Sequence, residues 1–140
     1  MRSNNGTPMP KTARKTRVRK RLKDMRETRR SIKAVAANPV RSLSTHLIAR
    51  GMHPDYAHRY NGAATRKAKQ LDIPTAGVLT RTTQTPKGPR PEDVTLYTPD
   101  QVDAVLAVYR PAKSRKNRDA IRAFDRIAGG LLRPAHALAA

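Results

Sequence analysis

The sequence predicts a mainly helical chain that carries one small two-stranded β-hairpin. Three observations lead there. Apolar residues recur at helical spacing over 12–37, 42–51, 54–70, 98–109 and 113–128. Alternation at period two is confined to AGVLTRT (76–82) and DVTLY (93–97). Pro39, Pro74 and Pro111 fall between the helical segments, where a missing N–H and a fixed φ end a helix. A length of 140 residues suits one domain with flanking arms.

Charge narrows the partners. Thirty Lys and Arg stand against ten Asp and Glu, a net charge of +20. Such a field makes a polyanion the default partner, nucleic acid first and an anionic membrane surface second. No apolar run approaches the roughly 18 residues of a membrane span, nor is there the apolar core of a secretory signal. No membrane partner is therefore expected, and a cytoplasmic, nucleoid-associated location is. The chain has no cysteine, which removes disulfides, thiolate nucleophiles and cysteine–zinc sites. Basic and acidic residues number 13 and 2 over 1–33, 10 and 6 over 34–110, and 7 and 2 over 111–140. The charge resides in the flanks. The expected organisation is a disordered tail (1–11), a basic helical arm (12–37), a folded module (38–111), and a basic C-terminal helix with its tail (112–140).

In the arm, Val18, Leu22, Met25, Ile32 and Ala36 form one helical stripe interrupted by Arg29. The other faces are almost solidly basic. Arg14, Lys15, Arg17, Arg19, Lys20 and Arg21 are the expected phosphate contacts, and the stripe is suited to a homodimer contact through 18–36. After Asn38-Pro39, SLSTHLIARG (42–51) reads as a short helix, capped by Ser42 or Ser44, with Leu43, Leu47 and Ile48 inward and Gly51 ending it.

HPDYAHRYNG (53–62) holds two of the four histidines. His53, Pro54 and Asp55 read as a helix start, with an acid at its positive end. As metal ligands His53 and His58 are poorly spaced, since five residues separate them by about 140° around a helix. Tyr56, Tyr60, Ala63, Ala64 and Leu71 mark the expected buried stripe, with Lys67 directed toward it. The opposite face carries His58, Asn61, Gly62, Thr65, Arg66 and Lys69. A short helix, a glycine turn and a second helix with a polar, basic face make the helix-turn-helix pattern. His58, Asn61, Thr65, Arg66 and Lys69 are its expected base contacts.

Ile73-Pro74 closes that helix. The strands 76–82 and 93–97 are joined by TPKGPRPE, read as a loop, and the hairpin so formed beside a helix-turn-helix is a wing. Arg81, Lys87 and Arg90 are its expected phosphate contacts. TPDQ (98–101) is a capping-box start, with Pro99 at the first helical position. Val102, Val105, Leu106 and Tyr109 follow as a core face. In 113–128, Ile121, Phe124 and Ile127 point inward and Arg115, Lys116, Arg118, Arg122 and Arg126 outward, with Gly129-Gly130 as the stop.

VTLYTPDQVDAVLAVY (94–109) resembles the wing exit and third helix of MerR-type and excisionase-type winged-helix proteins, in which a strand ending in tyrosine leads into a capped helix with a Val-x-x-Leu core. The resemblance covers roughly residues 42–109. It departs in a longer second helix (54–70) and in the lack of an effector domain or long dimerisation coil after the module. It implies a winged helix-turn-helix core with a basic helical N-terminal arm and a C-terminal helix, binding double-stranded DNA with the second helix in the major groove and the wing beside it.

The expected function is that of a small bacterial or phage transcriptional regulator or excisionase-like accessory factor. The alternative is a structural nucleic-acid-binding protein, nucleoid-associated or an RNA-binding component of a larger particle. Four of the five aromatics (Tyr56, Tyr60, Tyr109 and Phe124) fall on apolar stripes, so no stacking platform for single strands is expected. An enzyme is not expected. There is no phosphate-cradling glycine loop and no close carboxylate pair, and His46 reads as a packed histidine. Catalytic residues, metal ligands and cofactors are therefore predicted to be none.

Overall fold

The computed structural model describes the backbone of residues 11–139 and the side chains of residues 12–128. All of the expected tail (1–11) except Lys11, which opens the first helix, lies outside the described residues. The order of elements is α1 (Lys11–Ala37), β1 (Arg41–Ser42), α2 (Leu43–Ala49), α3 (Pro54–Gln70), β2 (Gly77–Thr85), β3 (Gly88–Tyr97), α4 (Pro99–Val108) and α5 (Arg118–Ala139). The chain is mainly helical with a small antiparallel sheet, ordered β1-β3-β2. No helix among the described residues is long and apolar enough to cross a membrane.

Local chemistry sets the helix ends. Ser42 caps α2 by accepting from the Thr45 amide, and Gly51, at φ +108°, turns the chain beyond it. His53 caps α3 through Nδ1, which accepts from the Asp55 amide at 3.1 Å. Thr98 and Gln101 close the capping box of α4, with Gln101 accepting from the Thr98 amide at 2.9 Å.

Four helices and one strand end share the core. Leu43, Leu47 and Ile48 of α2 meet Ala57, Ala64 and Ala68 of α3, Val102, Val105 and Leu106 of α4, and Phe124 and Ala128 of α5. Tyr97, at the end of β3, is buried among them and accounts for the fifth aromatic. Phe124 stands edge-on to Tyr109 (centroids 5.3 Å apart) and Tyr60 (6.1 Å). Two ion pairs lock the frame, Arg50–Asp103 at 2.6 Å between the α2 end and α4, and Arg110–Asp125 at 2.7 Å between the α4 end and α5.

Four expectations need correction. The sheet has three strands, because Arg41 and Ser42 pair with Tyr97 and Leu96; two residues are too few to show periodicity. The segment expected to be a loop (TPKGPRPE) is mostly strand, and the turn is only Pro86-Lys87, followed by Gly88 at φ +111°. Pro89 and Pro91 fit in β3 because they sit two apart, so the donors they lack would face one edge, and β1 reaches β3 only at 96 and 97. The last helix starts at Arg118, where the Asn117 side chain ties back to the Ala112 carbonyl (2.8 Å), and it continues through Gly129-Gly130. A helical glycine costs about 1 kcal/mol, too little to stop a helix followed by leucine and alanine. Finally, Leu71 is 47 % exposed and Lys67 points to solvent, because α3 is rotated from the orientation its tyrosines suggest.

In α1 the stripe Val18, Leu22, Met25 and Ile32 is exposed, and nothing among the described residues covers it. The docked side is polar over its first two turns and apolar at its end: Asp24, Glu27, Thr28, Ser31, Ala34 and Val35 are the residues withdrawn from solvent. From Thr12 to Lys23 every residue is exposed, so that half of α1 buries no side chain against the body.

His46 is 2 % exposed, and its Nε2 lies 2.9 Å from the Tyr97 carbonyl. Burial lowers its pKa below the ordinary 6.5, against the opposing pull of that carbonyl, so the folded chain holds it neutral. The unfolded chain then binds the proton more readily. Stability contributed by His46 is complete above about pH 6.5 and is lost as pH falls through 6.5 toward the lowered folded value. Urea midpoints should drop between pH 7.5 and 5.5, and His46→Gln should reduce that drop; an unchanged drop in the variant would remove His46 as its source.

Candidate nucleic-acid interface

Helix α3 buries alanines, and this sets its phase. Ala57, Ala64 and Ala68 are small enough to let α3 approach the core closely, while Tyr56 and Tyr60 lie half-buried along one flank. The outward face therefore carries Asp55, Arg59, Gly62, Arg66, Lys69 and Gln70. At 3.6 residues per turn this is rotated by roughly 80° from the face opposite the tyrosines. Of the expected base contacts, Arg66 and Lys69 are on the outward face, whereas Asn61 and Thr65 are half-buried at its edge. Asn61 donates to the His58 carbonyl at 3.2 Å. His58 is exposed but its Nε2 is bonded to Glu27 of α1. Arg59 was not among the expected residues; it precedes Arg66 by seven positions, two turns, and this spacing could have revealed it.

Carboxylates latch α1 to the start of α3. Lys20 Nζ bonds Asp24 (3.1 Å) and Asp55 (2.8 Å), and His53 Nε2 lies 3.3 Å from Asp24. Asp55, then Asp24, raise the Lys20 pKa, and Lys20 lowers that of Asp55, so both groups stay charged. Asp24, His53 and Asp55 offer ligand atoms within 4.8 Å of one another. A divalent cation there would have to displace the Lys20 ammonium from both carboxylates. Lys20 is thus committed within the protein, while Arg17, Arg19 and Arg21 have no carboxylate partner among the described residues. Arg14 and Lys15 are exposed farther out.

The β2–β3 hairpin places Arg81, opposite Glu92, and Arg90, opposite Thr83, on one face, with Lys87 in the turn. Thr83 (2.6 Å) and Arg81 (3.3 Å) bond Glu92 and, in that order, lower its pKa. Arg81 is partly neutralised by this contact. Lys87 and Arg90 are exposed, with no carboxylate partner among the described residues.

A groove of about 950 Å³ opens between α1, the α2–α3 turn and α5. Both basic flanks of the sequence contribute to its walls, Arg17, Arg21 and Arg29 from α1 and Arg122 and Arg126 from α5. The chain thus presents an outward helix face, a basic hairpin and a cationic groove. Comparison with protein-family models, with curated proteins and with solved structures finds no match for it.

Proposed function

We propose that this chain is a winged helix-turn-helix module that binds double-stranded DNA. In this reading α3 enters the major groove with Arg59, Arg66 and Lys69, and the β2–β3 hairpin is the wing, with Lys87 and Arg90 on the backbone. Arg14, Lys15, Arg17, Arg19 and Arg21 of α1 contact phosphates and set affinity without reading sequence. The observation that carries the reading is the exposed Arg59–Arg66–Lys69 face, on a helix that follows a glycine turn, in a chain that also bears a basic-tipped hairpin. The biological role would be that of a small regulator or an accessory factor in recombination, in the cytoplasm of a bacterium.

The test is to incubate the full chain with sheared genomic DNA at about 0.2 M salt, where non-specific phosphate binding is weakened, and to sequence what it retains. A recurring motif supports the reading. Uniform retention would favour a structural nucleic-acid protein, for which the exposed cations of α1 would suffice. On the recovered site, Arg66→Ala should lose about 1–3 kcal/mol, because arginine offers the paired donors that guanine accepts. An equal loss on random duplex would remove Arg66 from base reading.

A further inference from the structure

We infer that the groove between α1 and α5 is a second nucleic-acid site, one that takes an unpaired strand. Its walls are cationic. Arg17, Arg21 and Arg29 on one side and Arg122 and Arg126 on the other face a common concavity, and none has a carboxylate partner among the described residues. Asp24, which also lines it, is already bonded by Lys20 and His53, and Asp119 is the other acid there. Like charges around a concave, low-dielectric wall focus their field into it, and guanidinium forks match phosphate oxygens.

The floor differs from the walls. Met52, Pro54, Tyr56 and Ala123 make it largely apolar, with the exposed Met25 beside them between Arg21 and Arg29 on α1, and His53 stands edge-on to the Tyr56 ring with centroids 6.2 Å apart. A duplex resting on the rim would leave that floor uncovered, because its base faces are stacked on one another. An unpaired base presents a flat apolar face that can enter and pack on methionine and aromatic side chains. A volume of about 950 Å³ is of the size that holds a compact organic ligand, roughly 300–1,000 Å³, and is far too small for a double helix. The aromatic stripe expected to leave no stacking surface thus contributes one ring, Tyr56, which is only half-buried.

The site overlaps the duplex reading only at Arg17 and Arg21 of α1, which that reading also places on phosphates. It uses no residue of the hairpin and none from the Arg59–Arg66–Lys69 face. Arg122 and Arg126 belong to the groove alone, are exposed, and can be changed without touching the core.

The experiment measures fluorescence anisotropy of labelled twelve-residue dT and U oligomers with the full chain, free and saturated with unlabelled duplex. An abasic oligomer of equal length serves as a third probe. The expected result is oligomer binding that persists on the duplex-saturated protein, weakened only by the share of Arg17 and Arg21 that the duplex takes. Arg122→Gln with Arg126→Gln should weaken it about tenfold and flatten its salt dependence by about 0.7 for each phosphate left unneutralised. Duplex binding should be unchanged in that variant. The abasic probe should bind at least about fivefold more weakly, since its phosphates remain and its stacking faces do not. A preference for dT or U would assign the strand as DNA or RNA. The inference is overturned if no oligomer binds, if duplex displaces it completely, if the double variant binds it normally, or if the abasic probe binds equally well. Failure to bind duplex, with oligomer binding intact, would sink the winged-helix reading and leave this one standing.

Discussion

Phe124→Ala is expected to lower folding stability by about 3–5 kcal/mol, the largest effect expected of a single substitution in this chain. Its ring is 1 % exposed and is held edge-on by Tyr60 and Tyr109. The neighbouring buried residues of α5 are Ala120 and Ala128, too small to move into the space left behind. Refilling the cavity would require shifting α5 itself, which Arg110–Asp125 and the Tyr60 hydroxyl, donating to Asn117 at 2.8 Å, oppose. Urea unfolding followed by circular dichroism gives the value directly. A loss under about 1 kcal/mol would show that α5 rests on the body without belonging to its core.

The second large effect lies in the arm. Replacing Arg17, Arg19 and Arg21 together by glutamine should weaken binding to every duplex alike. It should also flatten the dependence of log K on log salt by up to about 0.9 for each phosphate that the arm no longer neutralises. Lys20 is left out of the set because it bridges Asp24 and Asp55; its removal would also loosen α1 from α3. Titrations at several salt concentrations, on a preferred and a scrambled duplex, separate this from Arg66→Ala, which should change preference and leave most of the slope. A loss confined to the preferred duplex would place the arm in base reading.

How much of this was legible varies with the physics of each segment. The α4 start could be read almost atom by atom, because a capping box is a local exchange of two hydrogen bonds within TPDQ. The limits of α3 were legible for the same reason, with Pro54 at one end and Ile73-Pro74 soon after the other. Its rotation was not, since that depends on which residues the core can approach closely. Alanine at 57, 64 and 68 won over the larger tyrosines, and the expected base contacts Asn61, Thr65 and His58 were displaced toward the flank. Strand β1 was invisible because its partners lie more than fifty residues away in sequence. The outward stripe of α1 was readable as a stripe, but its orientation was not. The docked side is held by Asp24–His53 and Glu27–His58, pairings across elements that periodicity cannot anticipate. The groove likewise arises only when two basic segments about a hundred residues apart converge.

Residues 12–23 contribute no buried side chain, so about twelve residues of helix, roughly 18 Å, carry charge without carrying the fold. Selection can therefore act on this segment almost independently of the rest. Whole turns can be added or deleted, and arginine can drift to lysine, at little risk to the domain behind it. The positions held back from such drift are Arg17 and Arg21, which face α5 across the groove, Lys20, through its bridge to Asp55, and Asp24, where the arm begins to share contacts with the body. A lineage of such chains would be expected to vary in arm length and sequence while keeping those anchors and the alanine face of α3.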